Sequence, residues 1–225
     1  MIGLAGALQN RGTLSFLIND IDRVLADYKR VIEIAREYGF PISECIATRD
    51  LGEICLMLGR PEEAEPYAQR AIEMFKQTLG DTASRMFNTQ ILLARIKCYA
   101  GDYQAAREIA TGVIEAQAAA QAAGKTDALV NPGERLLVDT VDLALRHGAD
   151  AEFDAQVAKA RELTLQAMDI VEVMELKALT ALRAGRRADG IRYLEEAFAE
   201  SEKNAKLISD RIRRQLQQAA ALAAS

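Results

Sequence analysis

Apolar and small residues recur along this chain at helical spacing, in segments that come in pairs separated by a short turn. In the clearest pair, the first segment carries apolar residues at Leu51, Cys55 and Leu58. The second carries small residues at Ala64, Ala68 and Ala71. Spacings of three and four residues place each set on one helical face. Ser43 is expected to cap the first helix over residues 44–58, Gly59 to make the turn, and Pro61 to begin the second helix.

The helix-turn-helix unit recurs along the sequence. Its turn glycines are Gly59, Gly101, Gly148 and Gly185, at intervals of 42, 47 and 37 residues. Such recurrence predicts stacked supersecondary units, not one globular core. The predicted fold is an all-α, right-handed superhelical solenoid of about five antiparallel helix pairs with a C-terminal capping helix. We expect one repeat domain, 1–225, with repeats at 5–41, 44–80, 82–124, 131–168 and 169–204 and a capping helix at 205–224.

Two features at the C-terminal end refine this scheme. Lys177 occupies a position in the last pair that the pattern reserves for an apolar residue, so the register there could slip by one residue. Beyond that pair, a narrow apolar stripe runs through Leu207, Ile208, Ile212 and Leu216. A terminal repeat needs a solvated outer face, and a helix with one narrow apolar stripe meets that need.

The residues of the clearest pair resemble a known family. Leu51 and Gly52 in the first helix, the turn at Gly59, and Ala64 and Ala71 in the second helix are similar to the tetratricopeptide repeat signature. The longer period resembles the extended variant of kinesin light chains and of the sensory regions of bacterial transcriptional activators. The resemblance implies a noncatalytic protein-protein interaction module, or scaffold, that binds a peptide segment or partner protein in a concave groove.

Composition narrows the choice of partner and compartment. A formal net charge of −5 gives no electrostatic basis for binding nucleic acid or an anionic membrane. No stretch approaches the 18 or so apolar residues of a membrane span. Three cysteines at irregular spacing do not form a disulfide framework and suit a reducing compartment. We therefore expect a cytoplasmic protein without nucleic-acid or membrane partners.

The sequence shows no arrangement of residues typical of catalysis. The single histidine, His147, precedes a turn, where a helix C-terminus accommodates it structurally. Cys45, Cys55 and Cys98 lack metal-ligand spacing, and no glycine-rich phosphate-binding motif occurs. We expect no enzymatic activity, no metal and no cofactor.

The first helix of each pair is expected to line the concave wall of the groove. Its predicted partner-binding residues are Gln9, Thr13, Arg49, Glu53, Asn88, Arg95, Arg135 and Asp142. The arginines can form paired hydrogen bonds to carboxylates, whereas the two acidic residues would repel a uniformly acidic ligand. A mixed-charge peptide or protein is therefore the expected partner.

Alternatives stay open at this point. The abrupt start inside a helical pattern suggests a piece of a larger polypeptide, so the chain could instead be a ligand- or peptide-sensing regulatory region that controls an attached effector domain. An exposed stack end could also dimerise with a second copy, and the C-terminal tail could occupy the groove.

Overall fold

The computed structural model describes residues 2–18, 20–79, 84–124, 132–163 and 165–224, and within these ranges it contains eleven α-helices and no strand. In chain order the helices are α1 (Ile2–Leu17), α2 (Ile21–Glu37), α3 (Pro41–Met57), α4 (Pro61–Leu79), α5 (Ser84–Tyr99), α6 (Tyr103–Ala122), α7 (Pro132–Leu145), α8 (Asp150–Glu162), α9 (Ala167–Arg183), α10 (Arg187–Asn204) and α11 (Lys206–Ala224). The predicted all-α, helical-repeat fold class is confirmed.

The helices form two compact units. Unit 1 comprises Met1–Asp102 and Thr111–Leu129, and unit 2 comprises Tyr103–Ala110 and Val130–Ser225, so that α6 contributes to both. Consecutive helices pack against one another from α1 to α5 in unit 1 and from α7 to α11 in unit 2. The assignment of residues 1–225 to one repeat domain stays a prediction. The repeat starts predicted at residues 82 and 131 lie outside the described residues.

Small residues let the helices of unit 1 approach closely. Ala64, Ala68 and Ala71 of α4 are fully buried against α3, as the sequence pattern predicts. A Cβ built on Gly52 would lie 3.3 Å from the carbonyl oxygen of Ala64 and 3.4 Å from the amide nitrogen of Ala68. The α3–α4 packing distance is therefore set by backbone-to-backbone contact at Gly52.

The helix boundaries differ from the predicted ones in one start and one turn. Helix α3 begins at Pro41, with Phe40 as its N-cap, so the predicted cap at Ser43 is wrong. Proline suits the first helical position because its missing N–H has no partner there. In the turn between α7 and α8, the left-handed residue is His147, with φ +55°, one position before the predicted turn glycine, Gly148. Gly148 instead avoids a clash, since a Cβ there would lie 2.9 Å from Leu143 Cδ2.

Unit 2 contains a charged network between α8, α9 and α10. Lys177 is 8% exposed, so its position is as buried as the pattern requires. Its Nζ lies 2.6 Å from Asp154 Oδ1 and 4.1 Å from the centre of the Tyr193 ring. The Tyr193 hydroxyl donates to Asp150 Oδ2 at 2.7 Å, and Arg186 donates to both oxygens of Asp150. The buried charge of Lys177 is thus neutralised by Asp154 of α8.

Helix α11 packs on α10 and α9 at the C-terminal end of unit 2. Ile208 and Ile212 are buried, whereas charged residues such as Arg213 face solvent. Arg211 and Glu175 of α9 form a fully buried ion pair. The helix therefore covers the last pair of unit 2 with its apolar stripe and keeps a solvated outer face.

Candidate functional site

A cluster of charged side chains joins the first helices of two consecutive pairs in unit 1. Arg49, Asp50 and Glu53 lie on α3, and Arg95 lies on α5. Helix α4 packs against both helices, which also touch each other. We call these four residues the α3–α5 charge cluster.

Glu53 is the centre of the cluster. Its Oε1 lies 2.9 Å from Arg95 Nη2, and its Oε2 accepts from Arg95 Nη1 at 3.2 Å and from Arg49 Nη2 at 3.3 Å. Arg49 also donates through Nη1 to Asp50 Oδ1 at 3.3 Å. Two guanidinium groups and two carboxylates are therefore held in one hydrogen-bonded chain.

The two arginines differ in accessibility. The Arg95 side chain is 5% exposed, whereas the Arg49 side chain is 25% exposed. A buried guanidinium that is paired with a carboxylate mainly joins α3 to α5, because leaving either charge unpaired would be costly. Arg49 is the arginine of the cluster that reaches the surface.

Asp50 was not predicted as a site residue. Burial raises the pKa of its carboxyl, an effect that the neighbouring guanidinium of Arg49 opposes. The sequence could have indicated Asp50, because it directly follows Arg49 and lies within reach of the Arg49 guanidinium. With Asp50 included, the cluster has equal numbers of positive and negative groups.

Asn88 lies on α5 two helical turns before Arg95. Its side chain is half-buried, and its Oδ1 has no hydrogen-bond donor among the described residues. A buried acceptor without a donor is costly, so a partner that supplies an N–H would gain from pairing with it. Asn88 therefore offers a hydrogen-bonding position to a partner only when its side chain turns towards the surface.

The other predicted contact residues lie apart from the cluster. Gln9 is half-buried on α1, and the side chain of Thr13 lies outside the described part of the chain. In unit 2, Arg135 and Asp142 are exposed on α7. Arg135 pairs with Asp139 of the same helix at 3.1 Å, and Asp142 pairs at 3.3 Å with Arg146 in the turn that follows α7. Such exposed pairs one turn apart are typical of a solvated helix surface.

The described residues hold no cluster of three or more metal-ligating side chains. Burial raises the pKa of the Cys45 and Cys55 thiols, which disfavours their reactive thiolate forms. Across the same ranges, every helix is too short or too polar to traverse a lipid bilayer. Binding through noncovalent polar contacts is the chemistry that the charge cluster offers.

Comparison with known proteins finds a family match for one segment of the chain and solved structures with a similar fold. Residues 43–119, which include most of α3, all of α4 and α5 and most of α6, match the model of the tetratricopeptide repeat. A crystal structure of the nearly identical TPR-like repeats of a putative kinesin light chain from Podospora anserina superposes with a TM-score of 0.53 at 17% identity. The match covers 88% of this chain and 94% of that chain.

A second solved structure is the TPR2AB domain of yeast Sti1 in a complex with pHSP90, with a TM-score of 0.38 and 13% identity. The match covers 98% of this chain and all of that chain. No curated protein sequence matches the chain closely enough to count as a relative. Residues 43–119 are thus similar to tetratricopeptide repeats, and the chain as a whole has a helical-repeat fold.

Proposed function

We propose that this protein is a noncatalytic protein-protein interaction module, and that unit 1 binds a mixed-charge peptide segment along the face that α3 and α5 share. The observation that carries the proposal is the α3–α5 charge cluster, together with the unpaired Oδ1 of Asn88. The proposal places the protein in the cytoplasm, where a partner protein presents such a segment.

The balance of charge favours a ligand that also carries both signs. Arg49 presents a partly exposed guanidinium for a ligand carboxylate. Glu53 and Asp50 lie beside it and would repel a uniformly acidic peptide. A ligand with adjacent acidic and basic residues complements the cluster, because its carboxylate can pair with Arg49 and its lysine or arginine with Glu53 and Asp50.

The cluster is also prearranged for binding. Its side chains already hold one another in place, so a ligand orders few additional rotatable bonds when it binds. Arg95 acts as a positioning residue because it fixes Glu53 from below the surface. We also propose ligand contacts outside this cluster. The predicted residues are Gln9, Thr13, Arg135 and Asp142.

The experiment is a selection from a random peptide library displayed on phage, followed by fluorescence anisotropy with the peptides recovered. Arg49→Gln and Asn88→Ala should each weaken binding about tenfold, because each removes one ligand contact. The matched control is Arg70→Gln on α4, where the exposed Arg70 pairs only loosely with Glu73 at 3.5 Å. This control should bind within about twofold of wild type.

Peptides that bind Arg49→Gln, Asn88→Ala and wild type equally would refute the proposed surface. Far-UV circular dichroism of each variant shows whether its fold is intact, so lost binding can be separated from lost structure. Raising the salt concentration should weaken binding to wild type more than to Arg49→Gln, because the variant lacks one charge contact.

A second candidate function is a ligand-sensing regulatory region that controls an attached effector domain. The observation that favours it is a groove in unit 2, lined by Leu179, Leu182 and Gln215 among other residues. A ligand there would contact both the last helix pair and α11, and so could change how these helices pack.

A further inference from the structure

Unit 2 contains a groove of about 360 Å³ at the C-terminal end of α9. One wall is the end of α9 with Leu179 and Leu182, and the opposite wall is the C-terminal half of α11. The turn at Gly185 and the start of α10 close the third side. This volume is within the range of small-molecule sites in proteins.

The groove combines apolar walls with three polar side chains. Leu179, Leu182 and Ala219 supply apolar surface. The polar side chains are those of Arg187, Gln215 and Gln218. Apolar walls with a few polar groups are typical of sites that bind a ligand with an apolar body and a polar end.

Gln215 carries a buried acceptor that its surroundings leave unsatisfied. Its Oε1 is inaccessible to solvent and finds no donor among the described residues. Such an acceptor carries a desolvation cost that a donor from a ligand would remove. Because solvent cannot reach this atom, a ligand N–H satisfies it only when the Gln215 side chain rotates and turns Oε1 into the groove that the residue lines.

Arg187 supplies a positive charge that can meet a ligand. It is exposed at the rim of the groove and has no ion pair with any described residue. Its neighbour Arg186, by contrast, is held by both oxygens of Asp150 at 2.7 and 2.9 Å. An anion, and a carboxylate in particular, matches the forked donors of the Arg187 guanidinium.

The wall formed by α11 is firmly fixed to the rest of unit 2. The buried pair of Arg211 and Glu175 joins it to α9, and the hydroxyls of Ser201 and Ser209 lie 2.9 Å apart between α10 and α11. Ile212 is fully buried in the same contact. Apart from the rotation of the Gln215 side chain, the groove is therefore preformed.

We propose that this groove binds a small N-acyl amino acid, in which an apolar chain and a carboxylate flank one amide N–H. The chain packs on Leu179 and Leu182, the N–H donates to Gln215 Oε1, and the carboxylate accepts from Arg187. The inference deepens the sensing role and does not depend on peptide binding by unit 1. The two proposals therefore fail or succeed separately.

Three related probes test each contact of the ligand. Isothermal titration calorimetry is performed with N-octanoylglycine, with N-octanoylsarcosine, which lacks the N–H, and with N-octanoylglycine methyl ester, which lacks the charge. We expect N-octanoylglycine to bind with a Kd below about 1 mM and each of the other two to bind about tenfold more weakly. Failure of N-octanoylglycine to bind at about 5 mM, or equal binding of all three probes, would overturn the proposal.

Protein variants locate the site. Arg187→Gln should weaken N-octanoylglycine about tenfold, to the level of the methyl ester. Ala219→Phe fills the groove and should abolish binding, whereas the matched control Ala220→Phe adds the same ring at an exposed neighbour and should leave binding unchanged. Binding that persists in Ala219→Phe would also overturn the proposal. Circular dichroism shows whether both phenylalanine variants are folded. If Ala219→Phe unfolds, Arg187→Gln still tests the site, because it changes only a surface residue.

Discussion

Arg95 and Glu53 face each other across α3 and α5, with one guanidinium nitrogen on each carboxylate oxygen at 2.9 and 3.2 Å. The residues are 42 positions apart in the sequence, which is the interval between the turn glycines Gly59 and Gly101. They therefore occupy equivalent positions in consecutive repeats. One pair of charges both joins two repeats and holds in place the surface that we propose for ligand binding.

Arg95→Met tests the structural role of this pair. The variant removes both contacts that Arg95 makes with the carboxylate of Glu53, whose side chain is only 14% exposed, so we expect the free energy of unfolding to fall by about 3 kcal/mol. Arg49→Met removes a more exposed guanidinium and should cost less than about 1 kcal/mol. Urea titration followed by circular dichroism measures both values. Equal losses in the two variants would contradict the division into a positioning arginine and a contact arginine.

Gly52 and Gly112 form a matched pair for testing close packing between helices. Both lie inside helices, but a Cβ on Gly52 would meet the backbone of α4 at 3.3 Å, whereas a Cβ on Gly112 would meet nothing within 4 Å. We expect Gly52→Ala to destabilise the protein by about 1–2 kcal/mol, because α3 and α4 must move apart. Gly112→Ala should stabilise it by about 0.5–1 kcal/mol through helix propensity. The midpoint of thermal unfolding should move in opposite directions, and a stabilised Gly52→Ala variant would refute the packing argument.

The fold was largely predictable because its main determinants are local in sequence. Small residues at helical spacing, such as Ala64 and Ala71, specify a tightly packed second helix whatever the partner helix contains. The left-handed turn at Gly59 likewise follows from the residue type. Lys177 shows the limit of this reasoning, because its buried position is stabilised by Asp154 and Tyr193 from other helices. Sequence spacing cannot identify such partners.

The candidate site was predictable only in part. Helical spacing predicted Glu53 and Arg95 as contact residues on the first helices, but it could not show that they bind each other or that Arg95 is buried. Pairing between repeats depends on the stagger of α3 and α5, which is a tertiary property. The groove beside α11 had no sequence signal, because the side chains that line it come from three helices.

His147→Gly tests the cost of a left-handed residue that is not glycine. His147 adopts φ +55° in the turn that precedes α8, where the side chain of an L-residue is strained. Glycine removes this strain, and we expect the free energy of unfolding to rise by about 0.5–1 kcal/mol. His147→Ala serves as control, since it removes the imidazole and keeps the Cβ, and it should bring no gain. A gain of equal size in both variants would attribute the effect to the imidazole and not to the backbone.

Asp150 makes the stability of unit 2 depend on pH under acidic conditions. Hydrogen bonds from Arg186 and then Tyr193 lower the pKa of its carboxyl from 3.8 to about 2. Because the folded state holds the proton less tightly than the unfolded chain, the stabilisation is fully present above about pH 4 and is lost as the pH falls towards 2. We expect about 1–2 kcal/mol to be lost, reduced from the full shift because the side chain is 30% exposed. Urea titrations of wild type and Asp150→Asn at pH 6 and pH 3 measure this loss. The difference in the free energy of unfolding between the two proteins should be smaller at pH 3 than at pH 6. The control Asp142→Asn, at an exposed carboxylate, should have the stability of wild type at both pH values. A difference that is constant with pH would show that the ion pair with Arg186 does not set the titration.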